Sequence, residues 1–201
     1  MKLPGLLFKI GEVDTSTIEQ HVNALTHEQW IDWDLRQNRY KVHSTTESYP
    51  FMFSEYGEEP KLYNQNSELW YIVEPLIKRL ENFYNRKAGA IVLVKLKPRT
   101  NIIPHTDGGW FVDTHRLHIP IITHPDILFS LAGKKIHLKK GWIYELNNLV
   151  LHGVENPTDV ARVHLMIDML PKRVLNHAIE KSPLESIGYK SLEINELVQI
   201  S

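Results

Sequence analysis

The sequence predicts a mainly β protein of the α+β class, in which a helical N-terminal extension packs on a double-sheet jelly-roll core. Two observations predict this class. Short apolar runs separated by turns follow one another from residue 89 to residue 171, as in sandwiches and barrels. Before residue 89, apolar residues instead recur at helical spacing. We therefore divide the chain into an N-terminal region (1–88), a jelly-roll core (89–171) and a C-terminal helix or tail that is a candidate lid (172–201).

The N-terminal region is predicted to contain two helices joined by extended segments and loops. Asp14 and the hydroxyl residues after it provide caps for a helix that enters at Ile18 and runs toward Trp30. Prolines and a glycine interrupt residues 39–63, which predicts extended segments and loops there. Apolar residues recur every three to four positions in residues 67–84, which predicts a helix packed on the sheet.

The core is predicted to consist of short strands. Residues 90–96 are almost continuously apolar, which is typical of a buried strand. In the last strand, Arg162 and His164 alternate with apolar residues, so Arg162 can face a pocket while its neighbours fill the core. The predicted strands span residues 90–96, 101–104, 115–121, 127–131, 135–138, 142–146 and 162–170.

Composition restricts the class of partner. A net charge of -1 and a pI near 6.8 give no electrostatic footprint for nucleic acid or an anionic membrane. The absence of cysteine excludes disulfides, thiolate metal sites and a cysteine nucleophile. The first eight residues are too short an apolar stretch for a signal peptide, and no segment has the length of a membrane span. We expect a cytoplasmic protein without nucleic-acid or membrane partners, and the oligomeric state stays open.

The most informative motif is His105-Thr106-Asp107, followed at a distance by His152 and then Arg162. Residues i and i+2 of an extended segment point to the same side, so His105 and Asp107 can face one metal. Two histidines and one carboxylate are the facial ligand set of non-haem Fe(II) oxygenases, with positions left for co-substrate and O2. Arg162 offers a planar, permanently charged fork for a distant carboxylate. The motif predicts His105, Asp107 and His152 as metal ligands and catalytic residues of a 2-oxoglutarate-dependent oxygenase.

Two other histidines have simpler interpretations. A second His-x-Asp triplet begins at His124, but its proline and the preceding Thr123 are typical of a turn between strands. We assign that triplet a structural or surface role. His115 stands at the start of a predicted strand, and we expect it to be exposed and not to bind the metal.

Several blocks of this chain resemble the aspartyl/asparaginyl β-hydroxylase family, and they occur in the family's order. That family belongs to the Fe(II)- and 2-oxoglutarate-dependent dioxygenases, which share a double-stranded β-helix, a cupin-like jelly roll. The resemblance covers roughly residues 89–171 and is specific for the family but not for the substrate. The matching blocks are residues 103–107, 115–121, 141–148, 152–156 and 162–168.

The resemblance implies roles for further residues. The three predicted metal ligands would hold Fe(II), and Arg162 would bind the distal carboxylate of 2-oxoglutarate. Arg116 and His118 match a family Arg-x-His pair that also helps to hold this co-substrate. The implied reaction hydroxylates an unactivated C–H bond and releases succinate and CO2. The chain departs from some members at Val94, where they carry a serine, and from the best-known animal members at Asp107, where they lack a carboxylate ligand.

Two functions from different classes stay open at this point. The favoured one is a hydroxylase acting on an amino acid, or on a peptide or protein side chain of the Asp, Asn or Pro type. The alternative is a cupin-like protein that binds a divalent metal without oxygenase chemistry, such as an isomerase or a binding module. Arg162, Arg116 and His118 discriminate between them, because a pocket that holds no 2-oxo diacid has no need of these cations.

Overall fold

Two antiparallel sheets form the body of the protein in a computed structural model that describes residues 5–55 and 58–171. The strands of the described chain are β1 (Leu7–Glu12), β2 (Thr46–Phe53), β3 (Lys61–Leu62), β4 (Ala88–Leu96), β5 (Asn101–His105), β6 (His115–Ile122), β7 (Leu128–Leu131), β8 (Lys134–Ile136), β9 (Trp142–Leu146), β10 (His152–Glu155) and β11 (Arg162–Met169). Its helices are α1 (Ser16–Ala24), α2 (His27–Ile31), α3 (Leu35–Arg39) and α4 (Glu68–Tyr84). The predicted C-terminal helix or tail lies outside the described residues.

The two sheets differ in size and face each other. The larger has the strand order β1-β9-β6-β11-β4-β2-β3 and the smaller the order β5-β10-β7-β8. Buried side chains from both sheets meet between them, among them Leu96, Phe129 and Val154. This double sheet confirms the predicted mainly β, jelly-roll class.

The outer face of the larger sheet is covered by helices. Val73 and Ile77 of α4 pack with Leu117 of β6 and Leu165 of β11 in one buried cluster. Ser67 caps α4 by accepting a hydrogen bond from the Trp70 backbone N–H, so the helix begins where the sequence predicts. The burial of its apolar stripe on the sheet leaves the opposite face of β6 and β11 for polar side chains.

The first predicted helix is broken in the structure. It ends at Ala24, and a second helix starts after Thr26, whose side chain accepts from the Gln29 backbone while the Gln29 side chain accepts from the Thr26 backbone. This reciprocal pair is a capping box, which satisfies two backbone donors and favours a new helix start at Thr26. Among the residues described, no helix is both long enough and apolar enough to cross a membrane.

The N-terminal region contributes strands to the larger sheet. Strand β2 pairs with β4, with Thr46 opposite Leu96, and β1 pairs with β9 at the other end of the sheet. Gln37 of α3 donates hydrogen bonds to Thr46 and Ser48 on β2. These bonds hold α3 over the face of the sheet that looks toward the smaller sheet, beside the end of β5.

Candidate metal centre and its cavity

The three predicted metal ligands lie together at one end of the double sheet. His105 ends β5 and lies opposite His152, the first residue of β10. The Asp107 carboxylate oxygens lie 3.9 Å from His105 Nε2 and 3.9 Å from His152 Nε2. One ligand atom from each residue lies within 4.8 Å of the other two, a spacing that a single divalent ion can bridge.

The close approach of β5 and β10 depends on Gly153. A Cβ at this position would lie 2.8 Å from the Ile102 carbonyl oxygen and 3.1 Å from the Pro104 nitrogen. The first distance is too short for a real Cβ and the second is tight, so a side chain here would force the two strands apart. The pairing is also irregular between His152 and Val154, which turns the His152 side chain toward the centre.

Backbone carbonyls orient the two histidine rings. The Nδ1 atoms of His105 and His152 lie 2.8 Å and 2.9 Å from the carbonyl oxygens of Ile103 and Val150. Because a carbonyl only accepts, each Nδ1 carries the hydrogen and each Nε2 presents a lone pair to the centre. Burial lowers the pKa of His152, which keeps the ring in the neutral form that a metal requires.

The carboxylate of the triad is held by an arginine. Arg116 Nη1 donates to Asp107 Oδ2, while its Nε and Nη2 donate to the two Asp168 oxygens at 2.7 Å and 2.8 Å. Burial by itself raises the pKa of Asp107, but the charged guanidinium of Arg116 brings it below its ordinary value. Asp107 is therefore ionised at neutral pH, as a ligand must be.

Arg162 lies in a separate, dry group of side chains that we call the arginine cluster: Arg162, His118, Phe129 and His164. The Arg162 guanidinium carbon lies 5.3 Å from the centre of the Phe129 ring. The His164 ring stacks on the same Phe129 ring, with 5.5 Å between the two ring centres. The His118 and His164 ring centres are 5.7 Å apart. Arg162 is 2 % exposed and lies with buried Phe129 and His164, whereas His118 is half-buried.

The arginine cluster contains polar atoms without partners in the described chain. They are Arg162 Nε and Nη1, His118 Nδ1 and both ring nitrogens of His164. Burial, with a smaller effect of Arg36, lowers the pKa of Arg162 to about 9, so the guanidinium is still mostly charged at neutral pH. A buried, charged and unpaired guanidinium is costly, and a bound carboxylate would satisfy it. The cluster therefore has the chemistry of an anion site.

The cluster contains two residues that the sequence analysis did not assign. His164 follows Arg162 by two positions on the same face of β11, and that alternation was a usable signal. Phe129 comes from β7 in the opposite sheet, and no pattern in the sequence links it to the arginine. His118 and Arg116 lie on one face of β6, as predicted, but Arg116 contacts Asp107 and Asp168 and not the cluster.

A cavity of about 520 Å³ opens beside the metal centre. Its inner side is formed by residues of the larger sheet and by two of the triad residues, His105 and Asp107. Its outer side comes from α3 and the 3₁₀ turn Lys41–His43, a segment to which the sequence analysis gave no role. The charged and aromatic residues that line the cavity include Arg36, Arg39, Lys41, His43, Phe53, His105, Asp107, Phe111, Arg116 and Asp168.

The prediction of an exposed His115 is wrong. This residue is 6 % exposed, and its Nδ1 lies 2.6 Å from Glu145 Oε1. The Tyr84 hydroxyl of α4 donates to the other Glu145 oxygen at 2.7 Å. Helix α4 covers the start of β6, which the local strand pattern does not reveal. His124 and Asp126, in contrast, are exposed and have no third ligand beside them in the described chain.

Comparisons with known proteins agree with this architecture. A family model described as Aspartyl/Asparaginyl beta-hydroxylase matches residues 12–171. No curated protein matches the sequence. HygX from Streptomyces hygroscopicus, solved with nickel and 2-oxoglutarate bound, has a TM-score of 0.54 at 10% identity, covering 83% of this chain and 82% of that one.

Two further solved structures share the fold. An oxidoreductase of the 2OG-Fe(II) oxygenase family from Burkholderia pseudomallei has a TM-score of 0.50 at 13% identity, covering 81% of this chain and 93% of that one. AviO1 from Streptomyces viridochromogenes Tue57 has a TM-score of 0.50 at 14% identity, with coverages of 89% and 93%. At these identities the likeness concerns the fold.

Proposed function

Since the chain belongs to the aspartyl/asparaginyl β-hydroxylase family and is an oxygenase of the hydroxylase type, we propose that it uses Fe(II), 2-oxoglutarate and O2 to hydroxylate an unactivated C–H bond. Succinate and CO2 are the co-products. The substrate is an amino acid, or a peptide or protein side chain of the Asp, Asn or Pro type. One observation carries the proposal: the same double sheet holds a His-Asp-His triad and a buried guanidinium with unpaired N–H groups.

The triad would hold the metal through the Nε2 atoms of His105 and His152 and the Asp107 carboxylate. Fe(II) held there supplies the activation of O2 that couples oxidative decarboxylation of 2-oxoglutarate to hydroxylation. The chain's own contribution is orientation, because backbone carbonyls fix both rings and Arg116 fixes the carboxylate. A neutral imidazole at each of the two positions leaves the metal site with one negative charge from Asp107.

The arginine cluster would receive the distal carboxylate of 2-oxoglutarate. Arg162 has unpaired N–H groups on Nε and Nη1, and each can donate a charge-assisted hydrogen bond to a carboxylate. His118 and His164 border the same space and can donate or accept a further bond, depending on their tautomers. Arg116 would border the metal-proximal end of the co-substrate, since its Nη1 already lies on the ligand oxygen of Asp107.

The primary substrate would enter through the 520 Å³ cavity. That volume falls in the range of about 300–1,000 Å³ that is usual for small-molecule sites. The cavity contacts His105 and Asp107 directly, and the arginine cluster does not line it. Co-substrate and substrate would therefore reach the metal from different sides.

Succinate release is the direct test of this function. The Fe(II) protein is incubated with 2-oxoglutarate, O2 and a panel of free amino acids and short peptides, and succinate is quantified. Succinate should form in amounts that match a hydroxylated product, and His152→Ala should abolish it through loss of the metal. His124→Ala, at the exposed second triplet, should behave as the wild-type protein.

The same assay identifies the alternative class. A protein that binds Fe(II) but releases no succinate above the His152→Ala background, with or without substrate, is a metal-binding jelly roll without oxygenase chemistry. A His152→Ala variant with the wild-type rate would contradict the assigned ligand.

A further inference from the structure

A buried arginine of the N-terminal region lines the cavity without an anionic partner. Arg36 on α3 is 6 % exposed. Its Nη2 lies 3.2 Å from His43 Nε2, and its Nη1 has no hydrogen-bond partner in the described chain. None of the ion pairs among those residues includes Arg36, although the Asp168 and Asp107 carboxylates are near enough to raise its pKa against the larger lowering effect of burial. A buried charged group without an ion pair destabilises the ligand-free protein, which is typical of a residue that binds a ligand.

His43 provides a second unsatisfied donor on the same side of the cavity. An arginine only donates, so His43 Nε2 is the acceptor of their hydrogen bond and Nδ1 carries the hydrogen. That Nδ1 also has no partner among the described residues. Arg36 and His43 therefore present two N–H groups that lack acceptors, next to a cavity large enough for a small molecule.

The charges that line the cavity favour an anionic occupant. The cationic lining residues are Arg36, Arg39, Lys41 and Arg116, and the anionic ones are Asp107 and Asp168. Both carboxylates are already engaged by Arg116, and Arg39 forms an ion pair with Glu55 at 2.8 Å. Arg36 is therefore a buried cation of the cavity lining that has no ion pair to break when an anion binds.

Arg36 lies close to the metal centre. The ring centres of His43 and His105 are 5.8 Å apart, and Arg36 Nη2 contacts the Nε2 atom of His43. An anion on Arg36 would therefore lie on the side of the cavity where His43 packs against His105. The arginine cluster does not line this cavity, so the anion in question is distinct from the distal carboxylate of the co-substrate.

We propose that Arg36, supported by His43, binds a carboxylate of a small acidic substrate and so selects the free acid over its neutral amide. This inference rests on the proposed hydroxylase function and names the substrate class for it. One end of the substrate is anchored on Arg36, which places a carbon of the same molecule beside the triad.

The test compares free L-amino acids with their C-terminal amides as substrates of the Fe(II) protein. Acids should stimulate succinate release and the matched amides should not. Arg36→Met should raise the KM for the active acid about 10- to 100-fold, the range expected for a charge-assisted hydrogen bond. Arg36→Lys should lose less, and the KM for 2-oxoglutarate should stay unchanged in both. Arg79→Met, at an exposed position of α4, is the charge control and should match the wild type.

A readout that needs no substrate is the thermal unfolding of the metal-free variants. If Arg36 serves to bind substrate, the Arg36→Met variant should have the same Tm as the wild type or a higher one, because the substitution removes an unpaired buried charge. A Tm lowered by several degrees would instead make Arg36 a structural residue and overturn the proposal.

Three other results would also overturn it: equal activity on acids and amides, no activity on any acid, or an Arg36→Met variant whose defect is in 2-oxoglutarate affinity. Failure of the proposed function is separate, since it appears as absence of 2-oxoglutarate binding to the wild-type Fe(II) protein.

Discussion

Arg116 and Asp107 are joined by a hydrogen bond between the guanidinium and the carboxylate of the metal triad. Asp107 follows β5 in a loop, whereas Arg116 lies within β6 and is held by both oxygens of Asp168 on the neighbouring β11. The larger sheet therefore fixes the orientation of Asp107, a candidate metal ligand that follows a strand of the smaller sheet. Loss of such outer support costs about 10- to 100-fold in metal affinity in characterised metal sites.

Asp168→Asn should weaken metal binding without removing a ligand. The amide cannot accept both Arg116 bonds, so the guanidinium and the Asp107 carboxylate it holds become less ordered. We expect a loss of about 10- to 100-fold in Fe(II) or Co(II) affinity by titration. Asp159→Asn is the control, because Asp159 pairs with Arg99 at an exposed position. Equal metal affinity in the two variants would show that Asp107 needs no support from β11.

Gly153→Ala should also weaken metal binding, through the backbone. The new Cβ would meet the Ile102 carbonyl oxygen at 2.8 Å and push β5, with His105 at its end, away from His152. We expect a loss of affinity of about tenfold or more. Gly108→Ala is a matched control beside the same motif, since a Cβ there meets nothing within 4 Å and its φ is negative. Similar metal affinities for both alanine variants would contradict this account.

Tyr84→Phe should destabilise the protein and spare the site. It removes the hydroxyl donor of buried Glu145, which is 1 % exposed and shared with His115. The free energy of unfolding should fall by about 1–3 kcal/mol, the cost of an unsatisfied buried polar group. Denaturant unfolding measures it, and Tyr71→Phe, at an exposed position of α4, is the control. A lower metal affinity of the folded Tyr84→Phe protein would mean that this network reaches the centre.

Glu47 should make stability depend on acid pH. Burial by itself raises the pKa of its carboxyl, but Lys95 at 2.8 Å and Lys97 at 3.4 Å bring it below the ordinary value of 4.5. A pKa lowered in the folded state adds stability above pH 4.5, and that stability is lost as the pH falls through the lowered pKa.

Glu47→Gln should therefore flatten the pH dependence of the unfolding free energy below pH 4.5. Urea titrations at a series of pH values measure this slope. An unchanged slope in the variant would mean that the two lysines give the folded carboxylate no net stabilisation.

The pairing of His105 with Asp107 and most core strands could be predicted because their signals are local. Alternation along β11 placed Arg162 on the inner face, and the i, i+2 spacing of His105 and Asp107 placed both on one side of an extended segment. The observed β4, β6, β9 and β11 lie within one or two residues of the predicted strands. Strand periodicity is thus sufficient where a strand is long and has one buried face.

The rest of the site depends on contacts between distant parts of the chain. Arg36 lies on α3, a five-residue helix that is too short to show a periodic pattern, and the ring of His43, on the 3₁₀ turn after it, lies 5.8 Å from that of His105. Strand β10 has four residues, so its pattern was equally weak. The burial of His115 depends on α4, which covers the start of β6. No local pattern around residue 115 indicates that contact.

We propose that the triad and Arg162 together bind a chelated 2-oxo diacid. Anaerobic titration of the Fe(II) protein with 2-oxoglutarate, followed by the weak visible charge-transfer band of a chelated 2-oxo acid, tests it directly. The account predicts that the band forms in the wild-type protein. It also predicts that Arg162→Ala needs about 10- to 100-fold more 2-oxoglutarate, with Fe(II) affinity nearly intact. An Fe(II) protein that shows no band at saturating 2-oxoglutarate, or an Arg162→Ala variant with wild-type affinity, would contradict it.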